Sequence, residues 1–173
     1  MQSKVKIKGE VFITIKKSNG EVVDEYIHNV VTNDGKEFFA KKIFESNSDA
    51  RVSQIGIGTN DAAHVVTNTI TSFNATSPII KKDIIASPVS TIQVENGVAN
   101  VITFISTFFD TTSDTLGGGT PVAIKEVALI GLSNDSPQEE VLLCRTTFDD
   151  SPSVGFTKTD QDIVTITWKL TIS

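Results

Sequence analysis

Two histidines, one cysteine, a pair of spaced glycines and three pairs of acids are the residues of this chain whose types could support chemistry. His28 lies in EYIHNVV and His64 in NDAAHVV, and neither has a second ligand at the spacing a metal site needs. Both read as surface or half-buried side chains. Gly56-Ile57-Gly58 follows an extended stretch, as phosphate-cradling loops do. It lacks a third glycine, the Lys-Ser/Thr pair of a P-loop and a following helix. Those glycines are expected to let the backbone turn or to let another segment pack close. Asp110/Asp114, Asp149/Asp150 and Asp160/Asp162 are oxygen-rich, and oxygen ligands hold calcium. None has EF-hand spacing, so solvated loop carboxylates are expected, with a structural cation as the alternative. Cys144, inside the apolar run VLLCR, reads as a small buried hydrophobe. No G-x-S-x-G elbow and no triad context accompanies either histidine. The sequence therefore predicts no catalytic, cofactor-binding or metal-binding residue, and the chain is expected not to be an enzyme.

Strands must position these residues. From Asp162 the chain reads DIVTITWKLTIS. Val164, Ile166, Trp168, Leu170 and Ile172 share one parity, and Ile163, Thr165, Thr167, Lys169 and Thr171 share the other. This period of two marks a strand with one buried and one wet face. Trp168 is expected in the core with Val164, Ile166 and Leu170. Near the start, Val5, Ile7, Val11, Ile13 and Ile15 oppose Lys6, Lys8, Glu10, Thr14 and Lys16. Ser18-Asn19-Gly20 then supplies a tight turn, and the return strand is expected over 21–31. The period next becomes helical through Phe38, Phe39, Ala40, Ile43 and Phe44. Asp34 and Glu37 have the spacing of a capping box, and Lys41 and Lys42 suit a last turn. The pattern predicts a helix over 35–45, packed on the sheet through Phe39 and Ile43.

Beyond it, VSQIGIGTN reads as a strand and 69–73 as a short further one. IIKKDII, between Pro78 and Pro88, reads as either a strand or a helical turn. A second hairpin around Asn96-Gly97 leads into VANVITFISTFF, apolar on both parities and so expected to be covered on both faces. DTTSDTLGGGT is a glycine-rich loop, while AIKEVALIGL and VLLCRTTF are strands around the polar turn SNDSPQEE. About eight to ten strands separated by turns predict an all-β fold. The expected architecture is an antiparallel β-sandwich, jelly-roll-like, with an N-terminal β-hairpin and one short α-helix. A single domain over 1–173 is expected, divided into a hairpin (1–31), a helix (35–45) and the main sheets (51–173).

At 173 residues the chain is long enough for a core. A net charge of −6 argues against a partner held by phosphate contacts, so no nucleic acid is expected. The early lysines Lys4, Lys6, Lys8, Lys16 and Lys17 read first as the solvated face of a strand. One cysteine excludes an intramolecular disulfide. MQSKVKIK has no apolar core of signal-peptide length, and no window approaches a membrane span. Trp168 and Tyr26 are too few to suggest an aromatic platform for sugars or single-stranded nucleic acid.

Several segments together resemble a class of tailed-bacteriophage virion proteins. HNVVTNDGKEFFAKKI is similar to their N-x-x-T-x-x-G stretch leading into a helix, and SQIGIGTND to their IAIGTG strand and turn. IKEVALIGLSND resembles their IREIGLFDADG, and FTKTDQDIVTITWKLTIS their KTSADTLTVTWTITF ending. The relatives so indicated are the particle-attaching domains of tail-collar fibre proteins and small virion proteins built likewise. The likeness runs with gaps from about residue 28 to the end. Ile130-Gly131-Leu132 stands where those proteins have Gly-Leu-Phe, and the middle from Thr69 to Pro88 matches little.

The resemblance implies a non-enzymatic structural protein of the virion, assembled in the host cytoplasm, with no cofactor and no membrane. It implies other virion proteins as partners: tail, baseplate or fibre for an attachment component, or the major capsid protein for a decoration (cement) protein. A homo-oligomer is expected, and a trimer follows from the fibre relatives. The hairpin tip at Asn19 and Gly20 and the loop at Gly117, Gly118 and Gly119 are the candidate contact points. The alternative from another class is a cell-surface or carbohydrate-binding β-sandwich module. An enzyme is a third reading and would need a convergent polar cleft.

Overall fold

The computed structural model describes residues 6–44, 50–84, 93–95, 99–118, 120–148 and 155–172; for residues 43, 44, 93–95, 99 and 100 it describes the backbone alone. The strands in chain order are β1 (Ile7–Lys16), β2 (Val22–His28), β3 (Val30–Val31), β4 (Arg51–Gly58), β5 (Ile80–Asp83), β6 (Gln93–Glu95), β7 (Ala99–Phe108), β8 (Ala123–Ile124), β9 (Glu126–Leu132), β10 (Glu140–Thr147), β11 (Phe156–Thr157) and β12 (Ile163–Ile172). Helix α1 spans Asn33–Phe44 and the short α2 spans Ile70–Phe73. Two five-stranded sheets have the orders β2-β1-β12-β7-β6 and β3-β10-β9-β4-β5, and β11 pairs with β8 in a small third sheet. All pairings are antiparallel. The fold is all-β and sandwich-like, with one main helix.

The alternation of the last strand explains its place. β12 lies between β1 and β7, with Trp168 opposite Val11 on one side and Phe104 on the other. Val164, Ile166 and Trp168 are fully buried and Leu170 nearly so. They join Val11, Ile13 and Ile15 of β1, and Ile55, Ile57, Val127, Leu129 and Leu143 of the other sheet, in one core. Each such aliphatic side chain contributes about 1.5–3 kcal/mol on burial. The opposite face of the second sheet carries a smaller cluster of Ala128, Ile130 and Leu142 under Phe73, with Ile70 and Ile79 packed against it.

Helix α1 packs on β10. Phe38 and Phe39 are buried in the main core, as expected of Phe39. The Ile43 side chain lies outside the described residues. The helix starts two residues earlier than the sequence pattern suggests, because its cap is Thr32. Thr32 Oγ1 accepts the Gly35 N–H at 2.9 Å and donates to the Leu142 carbonyl. Asp34 therefore sits in the first turn, where its charge suits the helix dipole, and not at the cap. A register shift in β10 between Leu142 and Cys144 turns the Leu143 carbonyl toward this junction. A Cβ on Gly35 would lie 2.1 Å from that oxygen, so the contact requires glycine.

Other expectations change with the tertiary structure. The return strand of the first hairpin ends at His28, and after Asn29 the chain crosses to the second sheet as β3. Residues 69–73 form a turn of helix, not a strand, because Phe73 is drawn over Gly56 of β4. The ambiguous IIKKDII segment is a strand over Ile80–Asp83. β7 is buried only through its inward residues, such as Ser106 and Phe108. Its outward residues Val101, Thr103, Ile105 and Thr107 stay half-buried. The two-sided cover expected from its composition is not found among the described residues.

Candidate functional site

Three places in the described chain bring several polar residues together. The first lies between β9, β10 and the loop over 59–69. Glu126 opens β9 and Arg145 follows the register shift of β10, opposite Ala128, so both side chains lie on the face under the loop. Arg145 Nε donates to Glu126 Oε2 at 2.8 Å, with side chains 1% and 0% exposed. Arg145 Nη1 donates to Asn68 Oδ1 at 3.0 Å, and Glu126 Oε1 accepts the Asn60 N–H at 3.2 Å. Asn68 Oδ1 also accepts the Val65 N–H at 2.9 Å. His64 Nδ1 lies 2.9 Å from Thr147 Oγ1 and accepts the Thr147 N–H at 3.3 Å. Gly58 makes room for Glu126, since a Cβ there would lie 2.5 Å from Oε1. Burial pushes the Glu126 carboxyl above its ordinary value, and Arg145 and the Asn60 N–H offset this only in part. These groups hold the 59–69 loop to the sheet. Arg145 Nη2 is buried without a hydrogen-bond partner.

The second place is one end of the sandwich, where β1 and β7 end and β12 begins. Asp162 Oδ2 accepts the N–H and hydroxyl of Thr159 at 2.9 and 2.8 Å and pairs with Lys17 at 3.4 Å. Asp114 pairs with Lys82 at 2.5 Å and accepts the Phe109 N–H at 2.9 Å. Lys158, 1% exposed, donates to Thr115 Oγ1 at 3.1 Å and to the Thr159 carbonyl at 3.0 Å. For both aspartates burial raises the carboxyl pKa, but their hydrogen bonds and lysines outweigh it and hold the group below the ordinary value. Burial draws the Lys158 ammonium down, against the pull of Asp114, Asp162 and the neighbouring Asp110 and Asp160. Asp114 and Asp162, expected to be solvated, are thus buried at 2% and 3% exposure because lysines and backbone donors satisfy them. Asp149 and Asp150 lie outside the described residues.

This end also gathers the loops expected to make contacts. Asn19 and Gly20 are exposed at the hairpin tip, with the Asn19 side chain accepting the Glu21 N–H at 2.9 Å. Gly117 and Gly118 are exposed and have positive φ; Gly119 lies outside the described residues. The Lys17–Asp162 pair and the Lys158–Thr115 bond tie the two loops to the same 158–162 segment.

The third place is an open cleft of about 510 Å³ between α1 and the turn joining β9 to β10. Asp34, Glu37, Asp135, Glu139 and Glu140 line it with Lys41, around Phe38, Ile70 and Val141. Glu37 pairs with Lys41 at 2.8 Å and Glu140 with Lys81 at 2.5 Å.

His28 is exposed, and its ring meets Tyr26 edge-on. Cys144 is fully buried, and that burial raises its thiol pKa. Gly56 and Gly58 serve close packing. Among the described residues no cluster of three or more His, Cys, Asp or Glu could hold a metal ion. Among the same residues no helix is long and apolar enough to cross a membrane. The Glu126–Arg145 pair went unread in the sequence; its one signal was Arg145, directly after the apolar run VLLC. No protein-family model matches the chain, and neither a curated protein nor a solved structure matches it.

Proposed function

We propose that the chain is a non-enzymatic structural protein of a tailed-bacteriophage particle that works through protein–protein contacts. Its place is either the tail, as a baseplate or fibre-attachment component, or the capsid, as a decoration protein. One observation carries this reading. The segments that resemble the phage proteins are far apart in sequence, yet three of them form one packed unit. β4, from SQIGIGTND, pairs with β9, from IKEVALIGLSND, with Gly56 opposite Ala128. Helix α1, from TNDGKEFFAKKI, lays the Phe38 ring against Gly131 of β9. The closing segment supplies β12, the middle strand of the other sheet. A likeness of fold, as opposed to a set of unrelated short matches, requires such adjacency. The buried polar networks agree with the reading, because their hydrogen bonds tie loops to the sheets, as a scaffold needs.

The test is protein mass spectrometry with copy counting on purified particles. Hundreds of copies per particle are expected for a capsid decoration protein, and a small multiple of three or six for a tail component. Absence from intact particles overturns the proposal.

A further inference from the structure

The outer face of the β2-β1-β12-β7 sheet has a pattern that its solvated appearance does not account for. Five rows of residues cross it, set by the strand register: Lys8–Thr171–Val101, His28–Glu10–Lys169–Thr103, Tyr26–Phe12–Thr167–Ile105, Asp24–Thr14–Thr165–Thr107, and Val22–Lys16–Ile163. The row of Tyr26, Phe12, Thr167 and Ile105 is a mostly apolar stripe bordered by charge. Phe12 and Tyr26 pack at 5.0 Å between ring centroids, and Lys169 lies 4.7 Å over the Phe12 ring. Among the described residues, three of the five exposed large hydrophobics belong to the β2 or β7 side of this face: Val22 at 55%, Tyr26 at 47% and, one residue beyond β7, Phe109 at 53%. β7 presents Val101 and Ile105 on this side, between Thr103 and Thr107, and no described element covers them.

We infer that this face is the contact between two copies of the chain, stacked sheet on sheet about a twofold axis that runs along the strands between β1 and β12. Charge favours that axis over two of its neighbours. An axis along β1 would oppose Glu10 to its own copy, and an axis across the strands at Phe12 would oppose Lys8 to Lys16 of the second copy. The axis between β1 and β12 opposes Glu10 to Lys169 of the second copy, and Lys169 to Glu10, so the charge pair forms twice. It also sets Phe12 on Thr167, Tyr26 on Ile105, and the Lys16 stem on Ile163, and it opposes no two like charges among these residues. Stacking of two sheets with nearly aligned strands is an ordinary packing mode. The area is of the order a dimer needs: β1 and β12 are 10 residues each. Four strands at ~4.8 Å spacing and ~3.3 Å per residue give roughly 600 Å² of flat face per copy, before side-chain relief is counted. Stable interfaces bury about 800 Å² per partner. The inference stands on this face alone and does not rest on the virion reading.

The test is sedimentation equilibrium of the full chain over a dilution series, with a charge exchange. The wild type is expected to dimerise. Glu10→Lys and Lys169→Glu each oppose like charges twice and are expected to weaken the dimer about tenfold or more. The double variant E10K/K169E restores the pairs and is expected to associate within a few-fold of wild type. Because Glu10 and Lys169 are also cross-strand neighbours within one chain, Thr167→Arg is a second probe. It places a bulky charge under the second copy's Phe12 and leaves the intrachain pair intact, so it is expected to give a folded monomer by circular dichroism. A wild type that stays monomeric throughout overturns the inference. So does an oligomer that none of the variants weakens, or a charge exchange that fails to restore association.

Discussion

Arg145 Nε donates to Glu126 Oε2 at 2.8 Å in a site where neither side chain reaches solvent. An ion pair so buried is costly to assemble and more costly to break, because removing one partner strands the other charge. Arg145→Met is therefore expected to destabilise the protein by about 3–5 kcal/mol. The double variant R145M/E126L is expected to lose far less than the sum of the two single changes. Urea unfolding of the four proteins measures this coupling, and additive losses would show that the pair does not act as a unit.

Gly35 marks the junction of α1 with the bulged strand β10. The ideal Cβ of Gly35→Ala would sit 2.1 Å from the Leu143 carbonyl oxygen, which is backbone and cannot swing aside. The substitution is expected to cost about 1–3 kcal/mol as the helix is pushed off the strand. This runs against the gain in helix propensity that alanine brings elsewhere. A melting temperature at or above wild type would contradict the packing described.

Trp168 is fully buried, and it is the only tryptophan of the chain. Trp168→Ala is expected to cost about 3–5 kcal/mol, since it removes the largest side chain from the centre of the first sheet. The wild-type tryptophan emission should also be blue-shifted and move to the red on unfolding. A solvent-like emission in the native protein would place the ring outside the core.

Asp114 and Asp162 titrate below their ordinary value when folded. Between the folded and unfolded pKa values the unfolded chain binds more protons. Their contribution is therefore fully present above the unfolded carboxylate value near ~4 and is lost as pH falls through the lower folded values. Glu126, raised by burial, works in the opposite direction just above the carboxylate range, so a variant isolates the effect better than the wild-type curve. Asp162→Asn is expected to lower the urea midpoint at neutral pH and to flatten its fall toward acid. An unchanged acid slope would mean that Asp162 is not held as an anion.

The alternation in β1 and β12, the hairpin turn at Asn19-Gly20 and the helical spacing around Phe38 and Phe39 are written in the local order of apolar and polar residues. Backbone geometry then fixes which side chains share a face, so the two strands, the turn, the main helix and the buried Trp168 could be read from the chain alone. The crossing at Asn29 and the helical turn at Ile70–Phe73 could not, because both answer to partners distant in sequence. So does the Thr32 cap: its hydroxyl donates to Leu142, which lies 110 residues away. The same holds for the charges. A sequence shows that Glu126, Arg145, Asp114, Lys158 and Asp162 are ionisable, but burial and pairing arise only when strands and loops are folded together. Periodicity determined the elements; the strand order of the two sheets decided which polar groups meet and which face of β7 was left uncovered.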